Sequence, residues 1–552
     1  MMGFIMTDRK RETPGRGTRR LGLWLAFLGM TAGGCVDLNE NVVSGITAPQ
    51  YFGTVAGFED AVVAAYQPLR TYYGSQNGWV MSSIGTDLWK DGSLNQDWYN
   101  RYTAGLNGSS PFVTNVWNGM YRGINNANTV IARADNVDGL SASLRDVRVA
   151  EARFLRAHYY YLLVMHYGPV HLTLEETIGV ETEANRTSEE EIFAVILDDL
   201  EFAVQHLLVT PDDWGRATRE AARHMLAKVH LVLGNWEQAA EYAQAVINSG
   251  THALLDDFND VWDHDNEQHA EVIWSVQYTD DLNANGGGNW GHLGFLARYD
   301  QVTGMVRDLW NGRPFSRLRP TTYMLTEVFG NDPGNGGVNV ENDVRYHASF
   351  NEVFLYNDPA GLPPGAALGD TAAWFTADWR VQEMSAEERA SAPYLLLGVD
   401  DFTIRWYPSL TKVRDRNRAH FQDAAGSRDQ FVMRLAETYL IAAEALMMMG
   451  RSGEAAMHFN AVRARAAYPG RDIPLITPGE LDIDAILDER ARELVGEQHR
   501  WIDLKRTGTL VERVRMHNPF ATGNIQEHHM LRPIPQTQID RTSNNYSQNP
   551  GY

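Results

Sequence analysis

The chain has 552 residues, 44% of them hydrophobic and 21% charged, so it holds ample material for a core, and disorder is excluded as its main state. Lys and Arg number 48 against 70 Asp and Glu, and the resulting net charge of −22 repels phosphate backbones and speaks against nucleic acid as a partner. A single cysteine, Cys35, excludes intramolecular disulfides, Cys-x-x-Cys redox chemistry and cysteine-built zinc sites.

The first residues read as an address. Arg9, Lys10, Arg11, Arg16, Arg19 and Arg20 precede an apolar run from Leu21 to Met30 that is too short to span a bilayer. Thr31-Ala32-Gly33-Gly34 follow, and then Cys35. A basic head, a short apolar stretch and small residues predict a secretory signal peptide over 1–34. The position of Cys35 resembles a bacterial lipobox, although Ala32 stands where that motif usually has leucine. A lipid on the Cys35 sulfur would tether a water-soluble body to a membrane.

Residues 36–56 read as tether and entry loop, and helical spacing begins with Gly57, Ala61, Ala64, Ala65 and Leu69. A polar, aromatic-rich stretch over 72–112 predicts loop with short elements. Helices are predicted over 113–134, with Trp117, Tyr121 and Ile124 on one face, and over 144–167, where Phe154, Ala157, Tyr161, Leu162 and Met165 recur at helical steps. Gly168-Pro169 ends the second. Ser188 with Glu191 forms a predicted capping box for the next helix.

Two later segments share one spacing. Ala227, His230, Gly234, Trp236, Ala239 and Ala243 have the same intervals as Ala443, Leu446, Gly450, Ser452, Ala455 and Phe459. This is tetratricopeptide spacing: small residues let two antiparallel helices approach, and a glycine turns the chain between them. The copies are separated by a long irregular segment, 265–432, punctuated by Asn285-Gly286-Gly287-Gly288 and Pro363-Pro364-Gly365. The predicted fold is therefore mainly α, an α-α superhelix of tetratricopeptide-like helix pairs with a large irregular loop insertion. Its expected regions are 35–264 (tether, aromatic loops and helical repeats), the insertion 265–432 as ligand face, and 433–552 with the last repeat.

Several blocks resemble the SusD/RagB family of outer-membrane nutrient-binding lipoproteins. They are Glu151 to Tyr160 with Tyr167-Gly168, Asn185-Arg186-Thr187-Ser188, Arg490 to Gly508 (RARELVGEQHRWIDLKRTG), Pro533-Ile534-Pro535 and Gln548 to Tyr552. Gln498 departs from a usual glycine, Gly496 from a usual apolar residue and His171 from a common proline. On the residues alone, Arg500, Asp503 and Arg506 are expected to pair along their own helix, and the terminal Asn-Pro-Gly-Tyr to pin the tail. The resemblance implies non-catalytic capture of a nutrient, an oligosaccharide or a peptide, and hand-over to a SusC-like TonB-dependent outer-membrane barrel.

No nucleophile elbow, phosphate loop or His-Glu-x-x-His motif occurs. Neither a catalytic residue nor a cofactor is expected. His264, Glu267 and His269 are expected to be solvated, and the half calcium loop at Asp281, Asn283 and Asn285 lacks a carboxylate at its twelfth position, His292. What the loops do supply is aromatic surface with polar neighbours, as stacking on sugar C–H faces requires. Since the family binds ligand with loops near the 79–102 stretch and in the insertion, the expected ligand-binding residues are Trp89, Asn95, Trp98, Tyr99, Arg101, Trp290 and Trp310. Trp374 and Trp379 are further loop tryptophans of the insertion. A lipid-anchored glycan hydrolase and a tetratricopeptide adaptor are the alternatives: the first needs two carboxylates across an aromatic groove, the second a helical groove without an insertion.

Overall fold

The structure, a computed structural model, describes residues 51–93, 95–211, 213–281, 283–330 and 337–552. Cys35 and the predicted signal peptide lie outside the described residues. Phe52–Tyr552 form one unit. Its scaffold is a succession of helices: α1 (Val55–Tyr66), α2 (Pro111–Arg133), α3 (Ala142–Tyr167), α4 (Glu189–His206), α5 (Arg219–Leu233), α6 (Trp236–Asn248), α7 (Leu435–Met448) and α8 (Ser452–Arg465). Each packs on the next, including α6 on α7 across the insertion, which makes four stacked helix pairs.

The spacing explains why. Ala227, Ala239, Ala240 and Ala243 meet Ala436, Ala442, Ala443, Ala455 and Phe459 in one buried cluster, where small side chains let the axes approach. The two interhelix turns are built alike. Gly234 and Gly450 sit at φ +72° and +74°, and the next residue's amide reaches back, Asn235 N to His230 O and Arg451 N to Leu446 O, both at 2.9 Å. This is the left-handed glycine stop that satisfies the last carbonyls of a helix. The Ser188–Glu191 box closes as expected, with Glu191 N donating to Ser188 Oγ at 3.2 Å and Ser188 N to Glu191 Oε2 at 3.3 Å.

Short strands attach the irregular segment: β1 (Trp89–Asp91), β2 (Val272–Val276), β3 (Leu318–Pro320), β4 (Val353–Leu355), β5 (Thr371–Phe375), β6 (Leu395–Leu397) and β7 (Gln430–Arg434). The chain enters the insertion along β2 and leaves along β7, which pair antiparallel from Val272↔Arg434 to Val276↔Gln430. β1 pairs antiparallel with β3, Trp89 opposite Pro320, and so binds the 79–102 stretch to the insertion. A three-stranded β4-β5-β6 sheet packs a separate small core of Tyr299, Phe354, Phe375 and Tyr407.

The Arg490–Gly508 block is an ionic core. Asp503 accepts from Arg490 Nε at 2.8 Å and from Arg506 Nε at 3.0 Å, while Arg506 also pairs with Glu444. Arg500 departs from the expected helix-local pairing and clasps the distant Asp87. The tail is pinned as expected: Asn549 Nδ2 donates to Tyr167 O at 2.9 Å and Arg532 O at 2.8 Å, and Tyr552 Oη to Leu531 O at 2.7 Å. The expectation that His264, Glu267 and His269 are solvated is corrected. His269 is buried against Phe431, His264 faces Asp415, and Glu267 pairs with Arg428, its carboxyl pushed up to about 7 by burial.

Candidate functional site

The insertion and the 72–112 stretch meet on one face, and the contacts there are made mostly by backbone. Trp290 N donates to Gly74 O at 2.7 Å, and Asn289 and Gly426 exchange both amide bonds at 2.9 and 3.0 Å. Gly288 must be glycine: its φ is +68°, and a Cβ would lie 2.5 Å from Ala425 Cα. Arg70 clamps the same loop, donating to Gln277 O at 2.7 Å and to Ala284 O at 2.8 Å with its guanidinium 4.9 Å from the Tyr278 ring centre. The result is a hollow of about 330 Å³ bordered by Arg70, Gln76, Asn77, Phe112, Tyr278 and Trp290.

From Trp290 an aromatic band runs outward. Its ring meets Phe315 edge-on at 5.5 Å, and the guanidinium groups of Arg313 and Arg317 lie 5.0 and 5.5 Å from the Phe315 centre. Arg313 donates to Gln422 O and Arg307 to Gln422 Oε1. On the same loop Trp310 is 61% exposed, with Arg416 only 3.7 Å from its ring centre. Asn311 N bonds Asp308 Oδ1 at 2.6 Å and Gly312 N bonds Asp308 O at 3.1 Å, so the turn that presents Trp310 is fixed. Ser93 joins this band to the first stretch by donating from N to Ser316 O at 2.6 Å and from Oγ to Phe315 O at 2.5 Å. Two residues further on, Asn95 is exposed.

Of the expected set, Trp290 meets Phe315, Trp310 is exposed on the loop that leads to Phe315, and Asn95 is exposed just past the Ser93 link, whereas Trp89 and Tyr99 are corrected to buried positions. Trp89 is only 1% exposed, because strand pairing turns it inward between Phe295, at 4.9 Å, and Phe350. Tyr99 is fully buried; its hydroxyl accepts from Val113 N at 3.3 Å and burial pushes it up to about 12. It backs Phe112, which borders the hollow. Trp98 is half-buried over Gly105, where a Cβ would sit 2.9 Å from the indole. Arg101 pairs with Asp97 at 3.0 Å and turns to Phe520, which Lys90 and Arg319 also flank. Phe315, Arg313 and Arg317 were missed. Arg313-Pro-Phe-Ser-Arg shows the pattern of arginines flanking a ring, but without the fold nothing places it beside Trp290.

Among the described residues no group of three or more His, Cys, Asp or Glu is placed to hold a metal ion. In the half calcium loop the Asn285 side chain is engaged, donating to Gly426 O at 2.9 Å and accepting from Thr279 N at 3.1 Å.

The fold is that of a helical-repeat protein with an aromatic, arginine-flanked patch on an inserted loop region. The chain belongs to the SusD family: that family's model matches residues 270–552, and a second, described as starch-binding associating with outer membrane, matches 55–231. SusD-like protein P25 of Formosa agariphila is 26% identical over 94% of this chain and 98% of its own length. A SusD-like protein of Bacteroides ovatus is 24% identical over 71% of this chain and 65% of its own. A solved laminarin-binding SusD-like protein superposes with a TM-score of 0.69 at 24% identity, covering 90% of this chain and 100% of that one. Surface glycan-binding protein A from Bacteroides thetaiotaomicron, solved with laminarihexaose, gives 0.68 at 20% identity, covering 90% and 99%.

Proposed function

We propose that this protein captures an oligosaccharide, without catalysis, on the Trp290–Phe315–Trp310 band. The observation that carries the reading is the exposed Trp310 ring on a fixed turn, on the same loop as Phe315, whose ring meets Trp290 and is flanked by Arg313 and Arg317. Flat rings cover the C–H face of a sugar, and the planar polar groups beside them bond its hydroxyl edge. Two relatives of the same fold support it by what they bind: one is laminarin-binding, and one was solved with laminarihexaose.

The body is held at the outer membrane by a lipid on Cys35 and hands its ligand to a SusC-like TonB-dependent barrel. Family membership, the outer-membrane description of the second matching model and the signal-like N-terminus support this part. The acyl chains give firm attachment, since each buried methylene contributes about 0.8 kcal/mol.

The test is affinity electrophoresis and calorimetry with laminarin, amylopectin and a mixed peptide library. Trp290→Ala and Trp310→Ala are expected to weaken glycan binding about tenfold each, or ~1.4 kcal/mol. Retention of peptides alone, or hydrolysis of a bound glycan by pure protein, contradicts the reading. Cys35→Ser is expected to release the protein from the membrane fraction, and solubilised wild type to co-purify with a large β-barrel.

A further inference from the structure

A second groove of about 510 Å³ lies on the insertion and shares no lining residue with the hollow beside Trp290. One wall comes from β5 and the turn after it. Trp374 is fixed there by its neighbour: Glu352 Oε2 accepts from Trp374 Nε1 at 3.4 Å, and Glu352 Oε1 accepts from Thr376 Oγ1 at 2.9 Å and from Tyr346 Oη. Trp379 opens a short helix capped by Asp378. Arg380 lies 6.0 Å from the Trp379 ring centre and grips Asp378 with two bonds, 2.9 and 2.6 Å. The opposite wall belongs to the scaffold. Tyr468 follows α8 and bonds Asn342 O at 3.3 Å, and Arg471 lies 5.6 Å from the Tyr468 centre and donates to Glu341 O.

From this geometry we infer that the groove between Trp374–Trp379 and Tyr468–Arg471 is a second saccharide-binding site, selective for uncharged glycan segments. Two half-exposed indoles and a phenol supply ring faces from opposite walls, and a volume of this size suits a small polar ligand. Arg380 and Asp378 already neutralise each other, and the Arg471 guanidinium is bound to a carbonyl. A charged ligand would have to break the Arg380–Asp378 pair, whereas hydroxyl groups bond to its unused edges and to the remaining N–H groups of Arg471. Burial pushes the Glu352 carboxyl up, while the Arg380 bonds outweigh burial at Asp378 and pull it down, a divergence also found in hydrolases. Here Glu352 lines the groove, but its oxygens are occupied by Tyr346, Thr376 and Trp374, so it positions the indole.

The site is tested on the full chain with laminarin, amylopectin and glucomannan as neutral probes and polygalacturonate as the acidic one. Trp379→Ala and the exposed Arg380→Gln are expected to weaken at least one neutral glycan fivefold or more, with the melting curve unchanged. That component is expected to survive Trp290→Ala/Trp310→Ala, and polygalacturonate to show no Trp379-dependent binding. If both folded variants bind all three neutral glycans as wild type does, the inference is overturned, and the first face stands or falls separately by its own variants. Preferential Trp379-dependent binding of polygalacturonate, or release of reducing ends that stops with Glu352→Gln, overturns it as well.

Discussion

Asp87 and Arg500, 413 residues apart, form a fully buried two-pronged pair: Arg500 Nε meets Oδ1 at 2.8 Å and Nη2 meets Oδ2 at 2.5 Å. Arg513 adds a third bond to Oδ2 at 3.0 Å and also pairs with Asp484 and Asp488, so one carboxylate near the start of the body holds two guanidinium groups near its end. Burial alone would raise the Asp87 pKa, but the two arginines outweigh it and hold the carboxyl below its usual value. Removing one partner of such a pair leaves buried charge uncompensated, which costs about 3–5 kcal/mol. Asp87→Asn is expected to lower the urea midpoint accordingly. A midpoint equal to wild type contradicts this account of how the two ends are joined.

Stability is expected to fall as pH drops below about 6.5. Burial holds the imidazoles of His158 and His529 down to about 3 and His499 to about 4, and lowers His166 and His224 as well. An unfolded chain therefore binds these protons first, and each depressed group removes up to about 1.4 kcal/mol per pH unit between its unfolded and folded values. Glu267 and Asp429, pushed up to about 7 and about 6 by burial, act in the opposite sense above pH ~4.5, but the imidazoles outnumber them. Below that, Asp503 joins the loss, since Arg490 and Arg506 outweigh its burial and hold it at about 2. Calorimetric melting at pH 7.5, 6, 5 and 4 should show a steepening decline, and equal melting temperatures at 7.5 and 4 would refute it.

Two tryptophans of the expected ligand set should part company on mutation. Trp89 is packed between Phe295 and Phe350, so Trp89→Ala leaves a cavity worth about 3–5 kcal/mol. Trp310 is 61% exposed, so Trp310→Ala should shift stability by no more than ~0.5 kcal/mol while weakening glycan binding. Chemical denaturation and glycan titration of both variants decide it. Equal loss of stability in the two would remove the distinction between plug and platform.

Legibility in the sequence followed the range of the interaction. The helix pairs were readable because their determinants are local: Ala, Gly and aromatic residues at fixed steps, a capping box, a glycine stop. Trp290 and Trp310 were readable as loop aromatics for the same reason. Trp89 was misplaced because its burial is set by pairing with Leu318–Pro320, more than two hundred positions away. Arg500 was assigned a helix neighbour because nothing local points to Asp87. Phe315 went unnoticed because a single phenylalanine becomes part of a band only when the fold brings Trp290 to it.

The departure at Gln498 has a physical meaning that the structure supplies. It is one of three non-glycine residues at positive φ among the described residues, at +68°, where glycine carries no Cβ penalty. Its side chain compensates: Gln498 Nε2 donates to Tyr72 O at 3.0 Å, inside the body, and packs so closely that a Cβ on Gly78 would lie 2.2 Å from it. The backbone cost of about 1–2 kcal/mol is thus partly offset by one buried hydrogen bond of about 0.5–1.5 kcal/mol. Gln498→Ala keeps the strain, loses the bond and leaves a buried carbonyl short of a donor, so it should destabilise by about 2 kcal/mol. Gln498→Gly loses the same bond but relieves the strain, and should fall within about 1 kcal/mol of wild type. The order wild type, glycine, alanine in melting temperature is the expected result. Alanine at or above glycine would show that the left-handed conformation at 498 does not cost what its φ implies.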